Sequence, residues 1–494
     1  MLVLNYIEIL INFDSLELNI FELGINMKKN KFYLFLGAAP VLSVPLVAAS
    51  CGDKYFKETE VDGVKTVTTL SHIVSRKGLK LRDGLTVDNA PRAAFITDEG
   101  SVHDESFNQS GWEAVHKISY ELGLDKAQVS GNKNLRNKVY EPKKGELASS
   151  YKNAIDSSFR YIVLCGFTHK AALYGLEPEY IKKIKDNNIV FITVDFDIQQ
   201  DASTGEPAAK AFVDKIGQGR LIPVIFDTKQ AAYIAGRALA DYFSKIYKDN
   251  PEKRTIGAFG GIPWPAVSDF IAGTFQGIID WNKEHPEAKT KSLNNTIELK
   301  TSFTSGEPVA VAAINSVIKA TASYPVAGSL SSDTAKEIKK LGDKNKFIIG
   351  VDADQKNALK GHRIFTSVMK LIGQAVYNVL ADLYSQGENS LSLQPGFEIG
   401  KKNGEAKVFG YGENEASKYV GVATSGLLDS KNDEIANKAL EEATKYYESK
   451  KAEIQKTLSG QLEEAKKALG TKWPDQPADQ FGKMINWLAK ETQK

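Results

Sequence analysis

The chain is poor in the residues that most often do chemistry. Its 494 residues include only 2 cysteines and 6 histidines. No disulfide framework is available, and neither Cys-x-x-Cys nor His-Glu-x-x-His spacing occurs. No charge of one sign dominates: Lys and Arg total 63, Asp and Glu 61. Nucleic-acid binders carry a clear basic excess, so no nucleic-acid partner is expected. The Gly-x-Ser-x-Gly elbow and the Gly-x-x-x-x-Gly-Lys-Ser/Thr loop are missing too, which leaves hydrolase and ATPase readings without their motifs. The glycines of "GAFGGIP" have the wrong spacing for a dinucleotide fingerprint, and Pro263 and Pro265 interrupt the helix start.

Long hydrophobic runs are also scarce, and the one that exists lies near the N-terminus. From Met27 the sequence reads "MKKNKFYLFLGAAPVLSVPLVAASCGDK". Three lysines, an apolar stretch from Phe32 to Val47 and the small residues Ala48, Ala49 and Ser50 have the order of a secretory signal. A cysteine directly after small residues resembles a lipoprotein box, with Ala48 where Leu is usual. That resemblance implies cleavage before Cys51 and lipid on its thiol and new amino group, holding the chain on the outer face of the cell membrane. The competing reading, a transmembrane anchor with an unmodified Cys51, needs a longer apolar run. Residues 1–26 are expected to be an upstream extension with translation starting at Met27, residues 27–50 the signal, and 51–89 a polar tether with at most a small hairpin.

Beyond the tether, short apolar runs alternate with helical patterns. Strands are expected at 92–97, 161–167, 189–195, 221–226, 255–260, 297–303, 325–330 and 347–352, with a last short segment at 363–370. Near-continuous apolar strands separated by helices indicate parallel sheets covered on both faces. So many βα units suit an α/β fold of two doubly wound lobes better than one sheet; a closed barrel is disfavoured by the uneven spacing. From 429 to 494 the composition turns charge-rich with helical apolar spacing, reading as a C-terminal helical extension, either packed on the body or docking a partner.

Open α/β sheets bind ligands beyond the carboxyl ends of their strands. Those ends carry Asp98, then Phe107 and Asn108; Phe167 and His169; Asp195; Trp264; Gly328; Asp352; and Lys370. Asp98 and Asp104 are each read either as caps of the following helix or as cleft residues, and Cys165 as a buried apolar filler. His103 beside Asp104 is a weak metal signal, so neither metal nor cofactor is expected. The set lacks nucleophile–base pairs, and no enzyme is expected. Carboxylates accept sugar hydroxyls, and aromatic rings offer flat faces for a base or pyranose.

The stretches "TDEGSVHDESFNQSGWEA", "YIVLCGF", "PVIFDTKQAAYIAGRALADYF", "TIGAFGGIPWPAVSDFIAGTFQGI", "YPVAG", "IIGVDADQ" and "FTSVMK" follow in one order. Over about 90–425 this resembles the basic membrane protein family of substrate-binding lipoproteins, which includes purine nucleoside receptors serving ABC importers. The lipid box and helical tail resemble mycoplasma-type surface lipoproteins of that family. The resemblance implies the type I periplasmic-binding fold: two lobes, three crossovers and a ligand cleft. Expected lobes are 90–197 with 331–366, and 198–330 with 367–428, crossing near 197, 330 and 366. It also implies a nucleoside ligand, with an ABC permease and ATPase on separate chains. By motif, Asp98 is an anchor, Phe107 a stacking plate, Asn108 an edge reader, Tyr324 the opposite plate and Gly328 a point of close backbone approach. Asp352 and Lys370 would hold the ribose. Where the family commonly has an Asp after Gly-Phe, this chain has Thr168-His169-Lys170. The alternative is a surface interaction or adhesion lipoprotein with a vestigial or sugar-like cleft.

Overall fold

The structure is a computed structural model. It describes residues 56–494 apart from 62–63, 70, 99, 105, 126–136, 144, 386–394, 406, 413 and 471. The expectations for residues 1–26, for the signal at 27–50 and for Cys51 lie outside the described residues.

A short antiparallel hairpin comes first, β1 (Glu58–Val61) and β2 (Val64–Val67). Two six-stranded sheets follow. The first holds β3 (Arg92–Ile96), β4 (Lys138–Tyr140), β5 (Phe159–Cys165), β6 (Val190–Val194), β7 (Leu221–Phe226) and β13 (Val408–Phe409), in the order β13-β7-β6-β5-β3-β4. The second holds β8 (Thr255–Gly260), β9 (Lys291–Ser292), β10 (Ala322–Val326), β11 (Phe347–Asp352), β12 (Ile364–Lys370) and β14 (Val420–Val422), in the order β14-β12-β11-β10-β8-β9. Every neighbouring pair in the two sheets is parallel except β12 with β14. Strands β3, β6 and β10 are buried along their whole length, as helices on both faces of a parallel sheet require. The run at 297–303 makes only one bridge, Glu298 to Phe259, further along the edge of β8 that β9 pairs at Thr255 and Ile256.

The chain passes between the sheets three times. After β7 it enters the helix Thr228–Ile246, which packs on β12 and β14. After β12 it returns in the helix Ile372–Tyr384, which packs on the helix Phe107–Glu121 beside the first sheet. It leaves again between β13 and β14. The crossings therefore fall at 226–228, 370–372 and 409–420; the second lies close to the expected 366, and none falls near 197 or 330. Helices Ile198–Ser203 and Pro207–Ile216 bring the chain from β6 back to the same sheet at β7. Likewise β11 stays beside β10 and β12, so 331–366 belongs with the second sheet.

The charge-rich end forms helices Ser430–Ser449, Lys451–Leu469 and Pro477–Glu491, stacked as an outer layer on helices Thr228–Ile246 and Pro265–Glu284. Those two inner helices meet backbone to backbone: a Cβ on Gly236 would overlap the Thr274 carbonyl. Arg237 lies 3.4 Å from the Tyr446 ring centroid and pairs with Glu284 at 2.5 Å. Asn486 Oδ1 accepts the Ile297 N–H at 2.7 Å. The segment is thus part of the second half's core.

The stretch expected as a tether is fastened down from Phe56 onward. Glu113, Lys117 and Glu121 recur every four residues along one face of the helix Phe107–Glu121, and all three side chains are buried. Their partners come from the preceding segment. Ser71 N–H donates to Glu113 at 2.9 Å, Lys117 to the Val67 carbonyl at 3.0 Å, and Ser75 to Glu121 at 2.7 Å. Arg76 pairs with Asp382 at 2.5 Å. Burial lowers the Lys117 ammonium, partly offset by Glu121 at 3.2 Å. Removing one member of a buried pair strands the other charge, so Glu121→Ala is expected to cost about 3 kcal/mol in urea unfolding. A loss below about 1 kcal/mol would show that the fastening does not depend on that pair.

Candidate functional site

The carboxyl ends of the two sheets line a cavity of about 1010 Å³. Asp98, in the loop after β3, lines it. Asp104 closes that loop: its carboxylate accepts the N–H groups of Ser106, Asn108 and Gln109 at 2.9, 2.9 and 3.1 Å. It therefore caps the helix Phe107–Glu121, the cap reading of this residue, while also facing the cavity. The capped turn presents Phe107 and Asn108 to the cavity. Asn108 Nδ2 donates to Asp104 at 3.1 Å, which fixes the amide's orientation because a carboxylate only accepts. Among the described residues its Oδ1 is buried without a hydrogen-bond partner.

After β5, Gly166 adopts φ +108°, and a Cβ there would overlap the Asp98 carboxylate. Phe167 then reaches toward the second sheet's Phe303, with ring centroids 5.8 Å apart. Gly328 and Gln355 complete the second sheet's wall, with Ser329 Oγ donating to the Phe303 carbonyl at 2.9 Å.

The floor is ionic. Asp195 after β6 and Asp352 at the end of β11 take left-handed backbone angles, φ 66° and 65°, which Asp tolerates better than most residues. Between them stands Lys370, the last residue of β12, 3% exposed. Its Nζ lies 2.6 Å from Asp195 Oδ2, 3.0 Å from the Ala266 carbonyl and 3.7 Å from Asp352 Oδ1. Burial alone would lower the Lys370 ammonium; Asp195 and Asp352 outweigh it and raise it. Burial raises Asp195, opposed by Lys370. Burial, with Asp195 and Asp104 adding to it and Lys370 opposing, pushes Asp352 up to about 6. The pair Asp195–Lys370 joins the first sheet to the second.

The structure thus brings Asp98, Phe107, Asn108, Phe167, Asp195, Gly328, Asp352 and Lys370 around one cavity. Three expected residues stand elsewhere. Tyr324 lies inside β10 and is fully buried in the core; Phe303 occupies the cavity wall instead. The Phe303 signal was the aromatic ending of the apolar run 297–303. His169 is also fully buried, 2.7 Å from the Tyr151 hydroxyl and stacked on Phe196. Trp264 sits outside the cavity lining under the Lys170 ammonium, 5.0 Å from its ring centroid.

A model of the Bmp family, described as ABC transporter substrate-binding protein PnrA-like, matches residues 92–396. A CD4+ T-cell-stimulating antigen of Listeria monocytogenes is 22% identical over 273 residues, covering 53% of this chain and 62% of that protein. The ABC transporter nucleoside-binding protein BmpA of Lactococcus lactis is 24% identical over 313 residues, covering 60% of this chain and 76% of that one. Among solved structures, an ABC transporter solute-binding protein of Aeropyrum pernix K1 superposes with a TM-score of 0.51 at 17% identity, covering 82% of this chain and 98% of that chain. That likeness is one of fold, and the two crossed parallel sheets are those of the type I periplasmic-binding fold.

Burial also sets one testable titration. It lowers His169 to about 3 from an ordinary 6.5. The unfolded chain then binds this proton first, so His169's contribution is complete above pH 6.5. It is lost as pH falls toward 3, at about 1.4 kcal/mol per unit. In NMR the His169 ring is expected to stay neutral at pH 5; a midpoint near 6.5 would contradict its burial.

Proposed function

We propose, for a chain that belongs to the Bmp family of PnrA-like ABC transporter substrate-binding proteins, that it binds a nucleoside between its two sheets and hands it to a transporter. The membrane channel and ATPase of that transporter would be separate chains. The family is one of solute-binding proteins, and the site reads as a binding site rather than a catalytic one. The observation that carries the ligand class is the combination of aromatic walls with an acid–lysine–acid floor. Phe107 and Phe303 offer flat faces to a base. The unpartnered Asn108 Oδ1 calls for an N–H donor, which a base edge supplies. Asp98 is a second polar anchor on that wall, and Gly328 leaves room for close approach. Asp352 and Lys370 suit ribose hydroxyls, an acceptor and a donor side by side.

A ligand touching both halves stabilises the closed arrangement by its differential affinity for it, and the three crossings are the hinge. Lipid on Cys51 would keep the protein on the outer face of the membrane, where it meets its solute and its permease.

Calorimetry of the purified protein with purine and pyrimidine nucleosides tests this reading, with native mass spectrometry for a co-purifying ligand. Failure of every nucleoside to bind at millimolar concentration would end it. The pH dependence is specific. Hydroxyls donated to Asp352 favour its anion and lower its pKa from about 6. Binding near pH 6 is therefore expected to release a proton, seen as buffer-dependent heat, and affinity to fall from pH 7 to pH 5. Heats independent of buffer and a flat affinity would contradict the role of Asp352.

A further inference from the structure

The C-terminal helices reach further than the half they cover. The helix Ser430–Ser449 ends and Lys451–Leu469 begins at a corner seated on Tyr411, in the third crossing. Glu448 accepts the Tyr411 hydroxyl at 2.9 Å, and Lys451 donates to the Tyr411 carbonyl at 2.7 Å. The fully buried Tyr447 ring stands edge-on to the Tyr411 ring, with centroids 5.4 Å apart. Lys229, just past the first crossing, donates to the Leu458 carbonyl at 3.3 Å.

The three crossings are laced together at the same place. The Tyr411 N–H donates to Gln230 at 2.8 Å, and Gln230 donates in turn to Asp227 of the first crossing at 2.6 Å. The Asp227 N–H donates to the Phe409 carbonyl at 3.0 Å. From the second crossing, the Leu371 N–H donates to the Tyr419 carbonyl at 2.8 Å, and the Tyr419 N–H to the Gly410 carbonyl at 3.0 Å. Gly410 and Gly412 flank Tyr411, and glycines give a linker its conformational freedom. A hinge takes up its φ/ψ change in a few such residues. Here the residue between them is 7% exposed and held at its N–H, its carbonyl and its side chain, the last two by the extension. Turning either peptide of Tyr411 gives up those bonds, which costs most where water is excluded.

We propose that the C-terminal extension is a hinge clamp: Glu448 and Lys451 are positioning residues that hold Tyr411, and through it set how readily all three crossings open. Neither residue lines the cavity, so the extension acts on the opening of the halves from outside the binding site. The inference rests on the crossings being the hinge and not on which solute binds.

The test is amide-resolved hydrogen exchange on the purified protein without added ligand, wild type against the double variant Glu448→Gln, Lys451→Met. Exchange that follows the opening equilibrium reports rare openings as well as common ones. Asp227, Leu371 and Tyr411 supply one amide from each crossing. In the wild type all three are expected to be protected. In the variant all three are expected to exchange at least about fivefold faster, while amides inside β5 keep their rates. A merely structural contact would speed Tyr411 alone and leave Asp227 and Leu371 within about twofold, which overturns the proposal. Unprotected crossings in the wild type overturn it too. Should the double variant loosen β5 as well, Tyr411→Phe, which removes only the hydroxyl, decides by the same comparison: joint acceleration of the three crossings supports the clamp, and acceleration at position 411 alone, or none, overturns it. No nucleoside enters the measurement, so a failed nucleoside titration ends the ligand reading and leaves the clamp standing, whereas uncoupled crossings remove only the clamp.

Discussion

One buried lysine sits where both sheets and one of the crossings meet. Lys370 ends β12, two residues before the chain enters the helix that packs beside the first sheet. Its ammonium is neutralised from the first half by Asp195 and approached from the second by Asp352. Leaving such a charge unpaired where it is buried from water costs several kcal/mol, so the two halves are tied at the same point at which the chain bends between them. On the proposed binding cycle, opening the halves would separate Asp195 from Lys370 and expose both to water. Closing them on a solute would return both to fixed partners, so that ligand capture and domain motion would act through one group of side chains.

The rest of the structure holds that group in place. The helix Phe107–Glu121 carries Phe107 and Asn108 at its first turn and three buried charges along its flank. A hydrogen-bonded series runs from Ser71 through Glu113 and Gln109 to Asp104, which holds Asn108. The segment leading into the body thus fixes one wall of the cavity. On the other side, the three C-terminal helices stiffen the pair Thr228–Ile246 and Pro265–Glu284, whose start supplies the Ala266 carbonyl to Lys370.

Much of this was legible in the sequence because buried parallel strands are written as apolar runs, and their polar ends mark the cavity rim. Asp98, Asp195, Asp352 and Lys370 all stand at such ends. The crossings were not legible. A short polar linker looks the same whether it returns to its own sheet, as after Val194, or leaves for the other, as after Phe226. Tyr324 was misplaced because it stands within a strand, and a side chain there points into a core layer, not past the sheet's edge. His169 failed for a related reason: one residue beyond the cavity-facing Thr168, a new helix turns it inward. Phe303 was overlooked because its segment reads as a strand while forming only a single bridge.

A crystal structure of the protein grown with adenosine is the most direct measurement of the central claim. The account predicts the base beside Phe107 and Asn108, facing Phe303, and the ribose hydroxyls within hydrogen-bond distance of Asp352 and Lys370. Adenosine bound outside this cavity, or with its ribose directed away from Lys370, would contradict it.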